Sequence, residues 1–204
     1  MAEHRYFPMF IDTAGKTVLV IGGGTVAERR ILTLLEFGFQ IEVIAERLTD
    51  RLRGLAEDGR FRYVRGSCGT AGAPDDAGQD AAAARKGTAG AQAEARKGTA
   101  GAQAEASAED AAPAPVPLGE HPADILLACT DDRELNRRIG EYGRSRRIPV
   151  NVCDAREEST FWFPAVALND ELTMGLVGNG ASHGTVRQAA AMLREIITGK
   201  EYRK

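Results

Sequence analysis

The sequence predicts an α/β fold, a doubly wound parallel sheet over residues 1–155 followed by a small α+β region over 156–204. Three observations predict it. Short apolar runs alternate with segments of helical period from Lys16 to Asp154, the pattern that builds a parallel sheet through right-handed crossovers. The first run feeds straight into a glycine turn, "VLVIGGGTVAERR", Val18 to Arg30. After residue 155 the alternation stops, and "STFWFPAVALNDELTMGLVG" (159–178) reads as two strands joined by the turn "LNDE".

The elements follow in order. "KTVLVIG" (16–22) is a continuous apolar run, so a strand buried on both faces, and "VAERRILTLLEFG" (26–38) places Val26, Ile31, Leu34 and Leu35 at helical spacing with Gly38 as its stop. "QIEVIAE" (40–46) is the second strand, "LTDRLRGLAEDG" (48–59) a helix with Thr49 or Asp50 near its cap, and "RFRYVRG" (60–66) the third strand. "ADILLAC" (123–129), "DRELNRRIGEYGRSR" (132–146) and "IPVNVCD" (148–154) supply strand, helix and strand. "TVRQAAAMLREIITG" (185–199) is a strongly apolar helix. A hairpin and one helix bury little by themselves, so this last region is expected to pair with a second copy of the chain as a homodimer.

Residues 69–122 break the pattern. They are rich in Ala, Gly and Pro, they lack aromatics, and "ARKGTAGAQAE" occurs twice in tandem at 84–94 and 95–105. Such a composition buries too little apolar surface to offset ordering entropy. The segment reads as a low-complexity, disordered insert between the third and fourth strands, with "PAPVP" (113–117) favouring an extended exit. It carries a net charge of −4, against −3 for all 204 residues, so the remainder is close to neutral.

Composition narrows the function. A near-neutral chain, 43% hydrophobic, has no electrostatic reason to bind nucleic acid or an anionic membrane. No apolar run approaches the ~20 residues that span a bilayer. The N-terminus "MAEHRYFPMFID" lacks the apolar segment of a signal peptide, so a cytoplasmic protein is expected. Cys68, Cys129 and Cys153 form no C-x-x-C pair and the three histidines are scattered, so neither a disulfide nor a metal site is expected. Cys129 and Cys153 are read as buried small hydrophobes.

The glycine turn carries the first chemistry. Gly22, Gly24 and Ala27 make a G-x-G-x-x-A pattern, with Gly23 inside it, between a predicted strand and a predicted helix. The first glycine permits the turn, the second lets backbone approach a diphosphate, and the small Ala27 packs helix on sheet. Amides at the helix start then face the phosphates. Glu46 lies 22 residues beyond Gly24 at the end of the second strand, where a carboxylate holds the ribose hydroxyls and favours NAD over NADP. Arg47 beside it argues the other way, and a solvated loop carboxylate is the alternative for Glu46. Ligands of a doubly wound sheet sit beyond the carboxyl ends of its strands. That places Thr130 and Asp131 near the cofactor, with capping of the next helix an equal alternative. Asp154 ends the fifth strand at the same edge, as a proton-handling carboxylate or as a turn residue.

Four segments together, "MFIDTAGKTVLVIGGGTVAERR", "DILLACTDDRELNRRI", "VNVCDAREESTFWFPAV" and "LTMGLVGNG", resemble the siroheme-synthase family in its precorrin-2 dehydrogenase module. The likeness covers residues 9–68 and 123–197. It implies a Rossmann domain that oxidises precorrin-2 to sirohydrochlorin with NAD as hydride acceptor, in siroheme biosynthesis, and a dimer formed through the region after that domain. It places the active-site aspartate on Asp154 and the cofactor contacts on Gly22, Gly24, Thr25, Val26, Glu46 and Arg47. Some members also insert Fe2+. The family often carries a serine–glycine stretch where this chain has Gly178-Asn179-Gly180-Ala181, and no residue is transferred there. The substrate's carboxylates call for basic residues, and Arg144, Arg146, Arg147, Arg156 and Arg187 are available without assignment. The alternatives are a bifunctional dehydrogenase and ferrochelatase, or a non-catalytic NAD-sensing module.

Overall fold

The computed structural model describes residues 6–69, 115–180 and 182–198. Five strands form one parallel sheet: β1 (Thr17–Ile21), β2 (Gln40–Ala45), β3 (Arg62–Arg65), β6 (Ile125–Ala128) and β7 (Val150–Val152), in the order β3-β2-β1-β6-β7. The apolar run of β1 is explained by its central place. Val18 and Val20 face one core cluster, Leu19 and Ile21 the other, and all four are buried. A strand covered on both faces has no solvent side on which to alternate polar residues.

Helices fill the crossovers. α1 (Thr25–Leu35) buries Ala27, Ile31 and Leu34 against the sheet. It stops before Gly38, whose φ of +69° turns the chain into β2. α2 (Asp50–Glu57) starts at Thr49, whose hydroxyl accepts from the Leu52 amide. α3 (Arg133–Arg146) lies on the other face, with Ile139 and Tyr142 buried. Gly140 and Gly143 let it sit close: a Cβ on Gly143 would come within 2.7 Å of the Val150 side chain.

The C-terminal part of the segment read as insert, 69–122, belongs to the fold. Residues 70–114, including both copies of the repeat, lie outside the described residues. β4 (Ser67–Gly69) instead pairs in parallel with β5 (Pro115–Pro117). Leu118 is then buried in the second core cluster. His121 Nδ1 bonds the carboxylate of Glu42, a buried acid on β2 that also pairs with Arg62 at 3.0 Å. Low-complexity composition hid the two residues, Leu118 and His121, that tie this stretch to the sheet.

The last region departs from expectation at its start. Residues 159–164 are not strand. Ser159 and Thr160 run beside β7 and bond it through their side chains: the Val152 amide donates to Ser159 Oγ (2.9 Å) and the Val150 amide to Thr160 Oγ1 (2.8 Å). The hairpin proper is β8 (Ala165–Leu168) against β9 (Thr173–Leu176), antiparallel. Its turn is held by Asn169 Oδ1, which accepts from the amides of Glu171 and Leu172. α4 (His183–Thr198) packs on β8, burying Ala190 and Ile197. No helix among the described residues is long and apolar enough to cross a membrane.

Candidate active site

The sheet reverses strand order at β1, with β2 on one side and β6 on the other. A crevice opens at such a switch point beyond the carboxyl ends of the strands. The three glycines sit there for different reasons. Gly22 has φ +113°, and a Cβ on it would lie 2.4 Å from the Cys129 carbonyl oxygen at the end of β6. A Cβ on Gly23 would lie 2.1 Å from the Arg47 carbonyl oxygen beyond β2. These two glycines let the turn pass between its neighbours.

Gly24 is different. Its backbone is extended (φ −83°, ψ −172°), it is the N-cap of α1, and nothing lies within 4 Å of where its Cβ would be. No packing requires a glycine there. No side chain caps α1 either, and Thr25 and Val26 are exposed while Ala27 is buried. A helix N-terminus with free donors and open space before it suits an anionic diphosphate. The residues present therefore fit a dinucleotide.

Glu46 and Arg47 are exposed just beyond β2, beside this turn. The other acid nearby, Glu28, accepts a bond from the Thr49 hydroxyl (2.6 Å). On the opposite side, Thr130 is clamped by the buried Asn136 of α3. Its amide and its hydroxyl both donate to Asn136 Oδ1 (3.1 and 2.7 Å), and Asn136 Nδ2 donates back to its carbonyl (2.9 Å). The helix cap is neither Thr130 nor Asp131. Asp132 takes that place, accepting from the amides of Glu134 (2.9 Å) and Leu135 (3.0 Å). Thr130 instead shapes the turn, its hydroxyl accepting from the Asp132 amide, and Asp131 is exposed at the crevice edge.

Asp154 follows β7, with its side chain 38% exposed. Arg133 Nε lies 3.9 Å from its carboxylate, and the same guanidinium pairs with Glu158. The bond to Glu158 first, and then the charges of Glu158 and Asp154, hold Arg133 above its ordinary range. Next to Asp154, Cys153 Sγ lies 2.9 Å from Cys129 Sγ. Arg30 of α1 stacks 4.2 Å over the Phe163 ring and lends its charge to Cys153.

The sheet order thus lines up the predicted positions along one edge: Glu46 and Arg47 after β2, Gly22 to Val26 after β1, Thr130 and Asp131 after β6, and Asp154 after β7. Three inter-strand steps of ~4.8 Å make about 14 Å from the first to the last. Among the described residues, no group of three or more His, Cys, Asp or Glu could hold a metal ion.

Sequence reading missed Arg133, Asn136, Arg30 and the meeting of the two cysteines. A signal for the cysteines existed. Each follows its strand's last paired residue by one position, and the paired residues Ala128 and Val152 are in register. Using it required knowing that β6 and β7 are neighbours. Most of the unassigned arginines are structurally engaged. Arg156 donates to the Gly178 carbonyl (2.9 Å) and stacks on Tyr6 and Trp162. Arg144 bonds the Glu158 carbonyl, Arg146 covers Tyr142, and Arg147 caps α3 at φ +57°. Arg187 is exposed on α4.

Known proteins share this architecture. A precorrin-2 dehydrogenase, SirC, has the same fold, with a TM-score of 0.59 at 18% identity over 94% of this chain and 71% of its own. In sequence, the chain is 29% identical over 191 residues to the "Probable multifunctional siroheme biosynthesis protein HemA" of Ruminiclostridium josui, covering 93% of this chain and 28% of that protein. It is 28% identical over 193 residues to the siroheme synthase of Neisseria meningitidis serogroup C, covering 94% and 29%. The chain spans less than a third of the length of these curated relatives. The family model described as "Putative NAD(P)-binding" matches residues 9–165. That match runs from before the glycine turn to past Asp154, and the chain belongs to this NAD(P)-binding family.

Proposed function

We propose that this chain oxidises precorrin-2 to sirohydrochlorin in siroheme biosynthesis, with NAD as the hydride acceptor. The observation that carries the reading is the line of Glu46, the glycine turn and Asp154 along one sheet edge. The siroheme names of the sequence relatives and the precorrin-2 dehydrogenase that shares the fold supply the substrate class. Glu46 favours NAD, because a carboxylate repels the 2′-phosphate of NADP.

The dehydrogenation removes a hydride and a proton from a reduced macrocycle. The nicotinamide, when bound, supplies the hydride acceptor. The backbone amides from Gly22 to Val26 would hold the diphosphate, Glu46 and Arg47 the adenosine ribose, and Thr130 and Asp131 the far side of the dinucleotide. Asp154 takes the substrate's proton. Its side chain is 38% exposed, so solvent and ligand can reach it, and Arg133 lies beside it at 3.9 Å. A positioned carboxylate contributes ~10²–10⁴ in rate.

The test is turnover: precorrin-2 and NAD mixed with the protein should yield sirohydrochlorin absorbance. Asp154→Ala should lower that rate by ~10²-fold or more while nucleotide affinity stays. Wild-type turnover in this variant would remove Asp154 from the mechanism. Nucleotide binding with no precorrin-2 turnover in the parent protein would favour the sensing module instead. Iron insertion is a second reading, favoured by the siroheme synthase names of relatives. Fe2+ is then a substrate, and conversion of purified sirohydrochlorin with Fe2+ and no NAD tests it. A homodimer through residues 156–204 completes the proposal, supported by Met192 and Ile196, which α4 leaves 57% and 55% exposed.

A further inference from the structure

β6 and β7 each run into a cysteine, and the parallel register that pairs Ala128 with Val152 sets Cys129 beside Cys153. Both side chains pack on the α1 face of the sheet. Adjacent strands lie ~4.8 Å apart, inside the ~4.4–6.8 Å between Cα atoms that a disulfide spans. The two thiols are free, with Sγ atoms 2.9 Å apart. They are unequal in access: Cys129 is 7% exposed, whereas Cys153 is only partly covered. We propose that Cys153 is a site of reversible thiol–disulfide exchange with small disulfides, and that Cys129 is its resolving thiol. The proposal stands apart from the precorrin-2 reading.

The chemistry balances without a metal or a second protein. The Cys153 thiolate attacks one sulfur of a small disulfide, forms a mixed disulfide and expels one thiolate. The Cys129 thiolate, its proton lost to solvent, then attacks the Cys153 sulfur and expels the second. Two protein thiols become one disulfide, and one small disulfide becomes two thiols. Charge supports the order of attack. The contact with Cys129 first, with help from Arg30, holds Cys153 below the ordinary thiol range against burial and the Asp154 charge. The same contact, and then burial, holds Cys129 well above it. The thiolate is the attacking species, so the partly exposed sulfur is the one prepared to attack. The groups facing Cys153 are Arg30 from α1, Asp154 from its own strand end, Cys129 from β6 and the neutral Asn151, whose Oδ1 accepts from the Cys153 thiol at 3.6 Å. The exchange site adjoins the glycine turn, because the Cys129 carbonyl is the group against which Gly22 turns.

The experiment treats the full, unsubstituted chain with oxidised glutathione and maps its peptides by mass spectrometry. The expected product is a Cys129–Cys153 cross-link with loss of two hydrogens, reversed by dithiothreitol. In Cys129→Ser the glutathione adduct should instead persist on Cys153. Alkylation of Cys153 in the parent chain should reach half-maximal rate at a lower pH than a free thiol. A stable adduct on Cys153 in the parent chain, a cross-link through Cys68, or no reaction at either cysteine under excess oxidant would each overturn the proposal.

Discussion

At the scale of single residues, the three glycines separate folding from binding. Gly22 needs its positive φ and has no room for a Cβ against the Cys129 carbonyl. Gly22→Ala should therefore destabilise the protein, by ~1–3 kcal/mol for the backbone strain alone, with further loss from the steric clash, measured by urea denaturation. Gly24 has room and an extended backbone. Gly24→Ser should leave stability unchanged or raise it by a few tenths of a kcal/mol, since serine is a better N-cap than glycine. The same hydroxyl would occupy the space before the helix and engage its amides. Nucleotide affinity should then fall by about 10-fold or more, roughly one charge-assisted hydrogen bond, as read by calorimetric titration. Equal effects of both variants on stability would show that Gly24 is a folding glycine.

At the scale of elements, α3 and the stretch after β5 decide two questions that composition left open. Asp132 caps α3 through two amides, while Asp131 beside it caps nothing. Asp132→Ala should cost ~1 kcal/mol of stability, and Asp131→Ala should cost almost none while changing nucleotide binding. Thermal unfolding and titration of the two variants separate the roles. Leu118 sits in sequence that reads as insert, yet it is 1% exposed in the core under α3. Leu118→Ala should destabilise by ~2–5 kcal/mol, as for a deeply buried leucine. A loss below ~0.5 kcal/mol in chemical denaturation would mean that this stretch does not pack on the sheet.

At the scale of the whole molecule, the proposed dimer is tested by the apolar side chains left outside. Phe7, Met9 and Phe10 at the N-terminus and Met192 and Ile196 on α4 are all more than half exposed. The two on α4 lie four positions apart, on one face of the helix, and an exposed apolar face is a surface on which a second copy can pack. Sedimentation should show a dimer, and the double variant Met192→Lys, Ile196→Lys should shift it to monomer while the far-ultraviolet dichroism is retained. An unchanged sedimentation coefficient would place the dimer contact elsewhere or remove it.

Much of this was written locally in the chain. The buried strands, the glycine turn, a cap at Thr49 or Asp50 and the strand-end placement of Glu46 and Asp154 all follow from short-range pattern: apolar period, turn chemistry and helix signals act over a few residues. Those properties determined the order of elements and the sheet edge on which the site would stand. Tertiary structure decided the rest. Which strands are neighbours brings Cys129 to Cys153 across 24 positions of sequence. Packing across the sheet holds Leu118 and His121 in place and sets Arg133 between Asp154 and Glu158. The physical reason is one of range. Strand pairing and burial are contacts between segments far apart in the chain, and their partners are chosen by register and packing, which no single segment encodes.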